Sequence, residues 1–99
     1  MKEIEKLREQ IDIIDDELVE LFEKRMELVV RIGDIKRNYT LGITDFDREK
    51  EIIKRAIGKL KNKGFSREIM AFLDNIIGLS KTVQQKNEDI KVSHKTTKQ

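Results

Sequence analysis

The sequence predicts an all-α protein built from three helices, one long and two shorter. The 99 residues include no proline and only five glycines, a composition that suits uninterrupted helices. Apolar residues recur at steps of three and four, the spacing of one helical face, rather than at the step of two of a half-buried strand. Charged residues make up 40% and hydrophobic residues 37% of the chain, as in one small domain with much surface.

The first helix is predicted over about residues 1–36. Its apolar residues form one continuous seam: Ile4, Leu7, Ile11, Ile14, Leu18, Leu21, Leu28, Ile32 and Ile35. Arg25 fills the register position between Leu21 and Leu28. A guanidinium is costly to bury alone, so a compensating partner is expected. A helix of this length measures roughly 50 Å.

The second helix is predicted over about residues 45–61, after a loop at residues 38–44. Thr44 and Asp45 are both candidate N-caps, because a short polar side chain can accept from the first free backbone N–H groups. The apolar face consists of Ile52, Ile53, Ala56, Ile57 and Leu60. A basic segment with a final glycine at residues 61–64 favours termination.

The third helix is predicted from about Arg67 to Lys86 or somewhat further, with Ser66 as its N-cap. Its apolar face consists of Ile69, Leu73, Ile76, Ile77 and Val83, with Phe72 and Leu79 beside it. The predicted domain covers residues 1–88. The polar tail that follows, residues 89–99, is expected to be frayed or disordered.

The predicted helix lengths leave part of the seam uncovered. The second and third helices measure roughly 25–33 Å each, so neither covers a seam of roughly 50 Å. Either the first helix bends back, or a second chain covers the remainder. We expect a homodimer in which two long helices pair antiparallel. Arg8, beside the seam and roughly 25 Å along the axis from Arg25 of its own chain, can then approach the partner's site.

Polar residues replace apolar ones on the inward face of every predicted helix. Lys36 lies on nearly the same side of the first helix as Arg25, about 16 Å further along. The same register reaches Asp45, Arg48 and Glu49 on the second helix and Ser80 and Gln84 on the third. Each has a structural explanation of its own: a snorkelling or solvated cation, an ion pair, an N-cap or a polar rim. Together they describe a pocket for a small polyanion that carries a hydroxyl group.

The bulk composition argues against several functional classes. The 21 basic and 19 acidic residues leave a net charge of +2 and are interspersed, so no basic face for nucleic acid stands out. The chain has no cysteine, and its one histidine, His94, lies in the polar tail, so no metal site is expected. No apolar run approaches the roughly 20 residues of a membrane span. No signal peptide is recognised, and the expectation is a soluble cytoplasmic protein with no nucleic-acid or membrane partner.

These residues resemble the all-helical, AroQ-type chorismate mutase family over about residues 4–86. The matching segments are Leu7 to Ile11 with Ile14 and Asp15, Leu18 to Leu21, Arg25, Ile32 to Lys36, the D-x-x-R-E motif within Asp45 to Lys50, and Ile76, Ile77, Ser80, Gln84 and Gln85. The resemblance implies an intertwined homodimer with two active sites, each taking one arginine from the partner. It also implies the rearrangement of chorismate to prephenate, in the route to phenylalanine and tyrosine, without a cofactor.

The resemblance further implies how the substrate is held. Arg25 and the partner's Arg8 would bind the two carboxylates, with support from Arg48 and Ser80. Lys36 would contact a carboxylate as well as the ether oxygen.

The remaining implied roles concern the breaking bond and the ring hydroxyl. Gln84 would donate to the same ether oxygen as Lys36, which makes these two residues and Arg25 the implied catalytic residues. Glu49 would accept from the ring hydroxyl, with Asp45 near it. The reaction is a pericyclic shift without nucleophile or proton transfer, so catalysis would rest on conformer restriction and on charge stabilisation at the ether oxygen.

Two alternatives and one departure accompany this interpretation. An isochorismate–pyruvate lyase would use a very similar pocket on the same fold. A non-enzymatic helical dimerisation module would use the polar seam residues to set register. Lys81 follows Ser80 where the family often has an apolar residue, so the pocket edge is expected to be more polar. No fused regulatory domain is recognised, so feedback control is not expected from this chain alone.

Overall fold

The computed structural model describes residues 1–39, 42 and 44–97, and it describes side chains as far as Lys91. The described residues form three α-helices: α1 (Lys2–Asn38), α2 (Phe46–Lys59) and α3 (Ser66–Thr97). They contain no strand, and the predicted all-α fold of one long and two other helices is confirmed. Part of the predicted loop at residues 38–44 lies outside the described residues.

The long helix α1 is continuous from Lys2 to Asn38. Its length is about 55 Å, close to the longest dimension of a molecule that measures 62 × 30 × 15 Å. The alternative in which the first helix bends back is therefore wrong. α3 packs against both α1 and α2, so the chain is a flat layer of helices with α3 in the middle. No helix in the described part of the chain is long and apolar enough to cross a membrane.

α3 packs on a stripe of α1 that differs from the predicted seam. Met26 is buried, and Val29, Val30 and Gly33 are half-buried on the same side. The seam residues at this level remain about half exposed: Leu28, Ile32 and Ile35 at 54%, 49% and 57%. At 100° per residue the two stripes are roughly 140° apart around the helix. The predicted seam is therefore not the core of the single chain.

α2 begins as the sequence predicts. Asp45 is its N-cap and accepts through its side chain from the backbone N–H of Arg48 at 3.0 Å, which satisfies one of the free donors of the first turn. The helix ends at Lys59, two residues before the predicted end. Its predicted apolar face is half-buried throughout: Ile52, Ile53, Ala56, Ile57 and Leu60.

α3 begins differently from the prediction. The side chain of Asn62 accepts from the backbone N–H of Gly64 at 2.9 Å and starts a short 3-10 turn, Lys63–Phe65. Ser66 already has helical angles, φ −60° and ψ −42°, and its hydroxyl donates to the Lys63 carbonyl at 2.7 Å. The prediction of Ser66 as N-cap is therefore wrong, because the preceding turn takes over the capping function.

The far end of α3 is held against α1. Its backbone is helical to Thr97, and the sequence predicts the helix to Lys86 or somewhat further. Asn87 Nδ2 donates to Asp34 Oδ1 at 3.1 Å, and Lys91 Nζ forms an ion pair with the same oxygen. These contacts dock the end of α3 on α1. The side chain of His94 lies outside the described residues.

A single chain buries few side chains. Among the described residues only Met26, Ile77 and Ser80 are buried, and none is completely buried. The chain exposes 8606 Å², whereas a compact monomer of 11.7 kDa exposes about 5,900 Å². The excess of roughly 2,700 Å² per chain is on the scale of the surface that obligate homodimers bury.

Candidate active site

One cavity of about 290 Å³ lies where α1, α2 and α3 meet. Seven of the eight predicted site residues line it: Arg25, Lys36, Asp45, Arg48, Glu49, Ser80 and Gln84. The volume is at the lower end of the range for small-molecule sites. Arg8 is not among the lining residues. It is exposed and lies roughly 25 Å along α1 from Arg25, so the structure does not bring it to this site within one chain.

The walls of the cavity between the polar groups are apolar. They are formed by Leu28, Val29, Ile32, Ile52 and Ile77. Most of these residues are predicted from the sequence as helix-packing positions, and their place in the wall of the site is not predicted. Such walls can hold a carbon ring between the charged groups and exclude water from it.

Arg25 is fixed in the site by the adjacent helix. Its Nη1 donates to Ser80 Oγ at 2.6 Å, and the Ser80 hydroxyl donates to the Ile76 carbonyl at 2.7 Å. Because the serine uses its one proton on its own helix, its oxygen is left to accept from the guanidinium. Arg25 has five N–H donors and uses one of them in this hydrogen bond, so the others can bind a ligand.

The environment of Arg25 favours an anion. Partial burial, followed by the positive charge of Arg48, lowers the pKa of Arg25 below its usual value. A guanidinium nevertheless stays charged at neutral pH. Two cations held near each other in a partly desolvated cavity are stabilised when a negative group binds between them.

Gln84 is oriented by the backbone of α1. Its Nε2 donates to the Val29 carbonyl at 3.0 Å. A carbonyl oxygen can only accept, so this contact places the amide nitrogen, and not the amide oxygen, towards α1. The second N–H of the same group remains available as a donor. Gly33 permits this close approach because it has no side chain. A Cβ at this position would lie only 3.1 Å from Gln84 Cγ.

Arg48 and Glu49, for which a local ion pair is one structural explanation, each pair with another residue instead. Arg48 Nη1 contacts Glu51 Oε1 at 2.8 Å, while Glu49 Oε1 pairs with Lys81 Nζ on α3 at 2.7 Å. Lys81 lines the cavity, a position that the sequence analysis noted only as a departure. Its spacing of four residues from Ile77 carried the signal, because that step stays on one helical face.

The charges that line the cavity are unbalanced. Four cationic groups, Arg25, Lys36, Arg48 and Lys81, face two carboxylates, Asp45 and Glu49, which leaves a formal charge of +2. Asp45 is also occupied as the cap of α2. A cavity with this charge and these apolar walls suits a small dianion with a carbon ring.

Comparisons with known proteins agree with this geometry. The model of the family "Chorismate mutase type II" matches residues 7–85. The bifunctional chorismate mutase/prephenate dehydratase of Aquifex aeolicus is 40% identical over 57 residues, which are 58% of this chain and 16% of that protein. The T-protein of Haemophilus influenzae is 33% identical over 70 residues, 71% of this chain and 19% of that protein.

A third relative, the T-protein of Enterobacter agglomerans, is 41% identical over 51 residues, 52% of this chain and 14% of that protein. The chain thus spans less than a fifth of the length of these relatives. No solved structure gives a significant match. Because the family model covers most of the chain, including all seven predicted site residues that line the cavity, the chain belongs to the chorismate mutase type II family.

Proposed function

We propose that this chain is a chorismate mutase that rearranges chorismate to prephenate in the cavity between its three helices. The observation that carries the proposal is the cavity itself, with a formal charge of +2, apolar walls and seven family-matched polar residues. Chorismate is a dianion with a hydroxylated ring. Its charge and shape therefore complement the site.

The carboxylates of the substrate would bind to the arginines. Arg25, held by Ser80, presents its remaining donors to one carboxylate. Arg48 lines the same cavity and supports that contact after leaving Glu51, an exposed partner that costs little to exchange. For the other carboxylate we propose the partner's Arg8, together with Lys36, which lines the same cavity.

The breaking bond would be stabilised by Lys36 and Gln84. Negative charge develops on the ether oxygen as its bond to the ring breaks, and donors already in place stabilise it without reorganisation. Lys36 is half-buried and lines the cavity. Gln84 is held by the Val29 carbonyl with one N–H left to donate. Gln84 donates through a neutral amide and Lys36 through an ammonium group, and the mechanism transfers no proton to either.

The substrate conformation would be selected by the same contacts. The rearrangement requires the two reacting ends of the molecule to lie close together, in a compact form of the substrate. Binding one carboxylate at Arg25 and the ring hydroxyl at Glu49 fixes opposite sides of the ligand against the apolar walls. Holding reacting atoms at contact distance supplies a large share of the barrier reduction in reactions of this kind.

The proposed active form is a homodimer. Every described side chain from residue 1 to residue 24 is exposed, although this segment contains six of the nine apolar residues of the seam. An antiparallel pairing of two α1 helices would cover the seam and bring each Arg8 towards the other chain's cavity. The function places the protein in the synthesis of aromatic amino acids, and with it we propose a cytoplasmic location.

The direct test is loss of chorismate absorbance with product identification. The purified chain should produce prephenate, and Arg25→Ala and Lys36→Ala should each lower kcat/KM at least ~10²-fold, as removal of a preorganised donor does. Lys24→Ala, which removes a cation from the exposed side of α1, is the matched control and should retain full activity.

Three outcomes would overturn the proposal or part of it. Near-normal turnover by a folded Arg25→Ala or Lys36→Ala variant would reject the site. Release of pyruvate from isochorismate without turnover of chorismate would identify the lyase alternative. Absence of both reactions, together with no saturable binding of prephenate, would leave the non-enzymatic dimerisation module.

A further inference from the structure

We propose that Lys81 is a positioning residue of the site, acting through Glu49 to make the cavity receptive to a dianion. The inference rests on the proposed function and adds a residue to it. Lys81 Nζ lies 2.7 Å from Glu49 Oε1, and both residues line the cavity. The contact joins α3 to α2 directly at the site.

The pair is less exposed than the ion pair between Lys24 and Glu20 on α1. The side chains of Glu49 and Lys81 are 21% and 37% exposed, whereas Lys24 and Glu20 are 64% and 67% exposed. Lys81 Nζ also lies 5.8 Å from the centre of the Phe46 ring, within the range of a cation–π contact. A half-buried pair is screened less by solvent and salt than an exposed one.

The chemical consequence follows from the charge of the ligand. Glu49 places a carboxylate in a cavity that must accept two further carboxylates, and like charges at short range repel. Lys81 neutralises Glu49 where it stands. A carboxylate offers about four acceptor positions and Lys81 occupies one of them, so Glu49 can still accept from a ligand hydroxyl while it is paired.

The pair also fixes the direction of the carboxylate. Glu49 has three rotatable side-chain bonds, and without a partner its side chain would sample several rotamers. Anchoring Oε1 to α3 holds the group in the cavity before the ligand arrives. Lys81 thus acts on substrate binding more than on the bond-breaking step, for which Lys36 and Gln84 are the proposed donors.

The test is a double-substitution cycle measured with chorismate. Lys81→Met should raise KM about tenfold, the scale of one partly screened like-charge contact, and change kcat less than about threefold. In a Glu49→Gln background the same Lys81→Met change should raise KM less than about twofold, since no carboxylate is left to neutralise. Lys81→Arg should restore KM to within about threefold of the unsubstituted protein.

The control is Lys86→Met, which makes the same change at an exposed lysine of α3 that does not line the site, and it should leave KM unchanged. Far-ultraviolet circular dichroism and urea midpoints check folding of every variant. Equal KM effects of Lys81→Met with and without Glu49 would show that Lys81 acts independently of Glu49 and overturn the inference. An unchanged KM in Lys81→Met would do the same. An unsubstituted protein that does not turn over chorismate would reject the proposed function and, with it, this role.

Discussion

The two halves of α1 differ in what they contact, although one periodic pattern runs through both. Up to Lys24 every side chain is exposed, including Leu7 at 57% and Ile11 at 52%. From Arg25 onwards the helix packs on α3, buries Met26 and lines the cavity. An apolar stripe in the sequence thus predicts that a surface is buried, but it does not predict whether the covering surface belongs to the same chain.

Side-chain size explains which half packs within the chain. The stripe that meets α3 contains Val29, Val30 and Gly33, which allow a neighbouring backbone to come close. The seam is made of leucine and isoleucine, which suit the wider knobs-into-holes packing of paired long helices. Arg25 and Lys36 lie between the two stripes on the helical wheel. The site therefore forms at the border between the surface covered within the chain and the exposed seam, for which we propose a partner chain.

The largest expected effect comes from placing a charge on the uncovered seam. In the proposed dimer, Leu18→Lys should put two ammonium groups into the α1–α1 interface, one from each chain. An unpaired charge in such an interface costs several kcal/mol, so the dimerisation constant should fall on the order of 10³-fold. Analytical ultracentrifugation should show monomer at micromolar concentration, and kcat/KM should fall with it.

The matched control places the same side chain on the opposite face. Asp16 lies about 160° from Leu18 around α1 and is exposed, so Asp16→Lys should keep the dimer. A Leu18→Lys protein that remains dimeric and active would show that this half of the helix is not the interface. The contrast between the two halves would then have another cause.

The next effect separates a shared site from a site within one chain. Arg8→Ala and Arg25→Ala should each lower kcat/KM about 10²-fold as homodimers. When the two variants are unfolded together in urea and refolded, half of the dimers should be mixed. If Arg8 serves the partner's site, each mixed dimer contains one intact site of two, and the mixture should recover about a quarter of full activity.

The same mixture also distinguishes the opposite arrangement. If Arg8 served its own chain, no mixed dimer would contain an intact site and activity would stay at the level of the single variants. Refolding each variant alone is the control, since it passes through the same steps without exchange. Mass spectrometry of the intact dimers should verify that mixed species formed.

The helices and the polar members of the site could be predicted from the sequence because both follow local rules. The 3.6-residue period placed seven residues on inward faces, and the structure brings those seven to one cavity. Asp45 was predictable as a cap because short acidic side chains bind free N–H groups. These inferences need only the register along one helix at a time.

The rest depends on which helix meets which, and a single-helix pattern does not contain that information. Lys81 pairs with Glu49 across two helices, so neither local sequence shows the contact. The packing of α3 on a stripe away from the seam follows from the fit at Gly33, which is a three-dimensional property. Ser66 does not have its predicted capping role, because a 3-10 turn capped by Asn62 precedes it and Ser66 already has helical angles.

A moderate effect is expected where the packed half of α1 meets Gln84. Gly33→Ala would place a Cβ 3.1 Å from Gln84 Cγ, so the Gln84 side chain must shift by a few tenths of an ångström. The amide N–H group would then no longer point at its proposed target, the ether oxygen. We expect kcat to fall about tenfold, part of the loss that follows removal of such a donor. Stability should be unchanged or higher, because alanine favours a helix by up to about 1 kcal/mol over glycine.

Gly78→Ala is the control for this change. It makes the same substitution in α3, where nothing lies within 4 Å of the new Cβ, so it should gain the same helix stability without loss of kcat. Steady-state kinetics and urea midpoints of both variants decide the point. Equal kcat in the two variants would mean that the close approach at Gly33 does not orient Gln84.

The smallest expected effect concerns the end of the packed half, where α3 docks on Asp34. A hydrogen bond from Lys91, followed by the charges of Lys91 and Arg37 and a hydrogen bond from Asn87, lowers the pKa of Asp34 against the opposing effect of its partial burial. A carboxyl whose pKa is lower in the folded state stabilises the fold above its ordinary value of about 3.9. That contribution is lost as the pH falls below this value.

Asp34→Asn should therefore lower the urea midpoint slightly at pH 7, and the gap to the unsubstituted protein should narrow as the pH falls below about 3.9. The exposed Asp16→Asn is the control for loss of one negative charge and should show no such gap. Circular dichroism during urea titration at pH 7, 5 and 3 measures all three proteins. A gap that persists or widens in acid would show that the Asp34 carboxylate does not hold α3. The contrast between the halves of α1 would then rest on the apolar stripe alone, with the charged contacts at its end acting only as solvated surface.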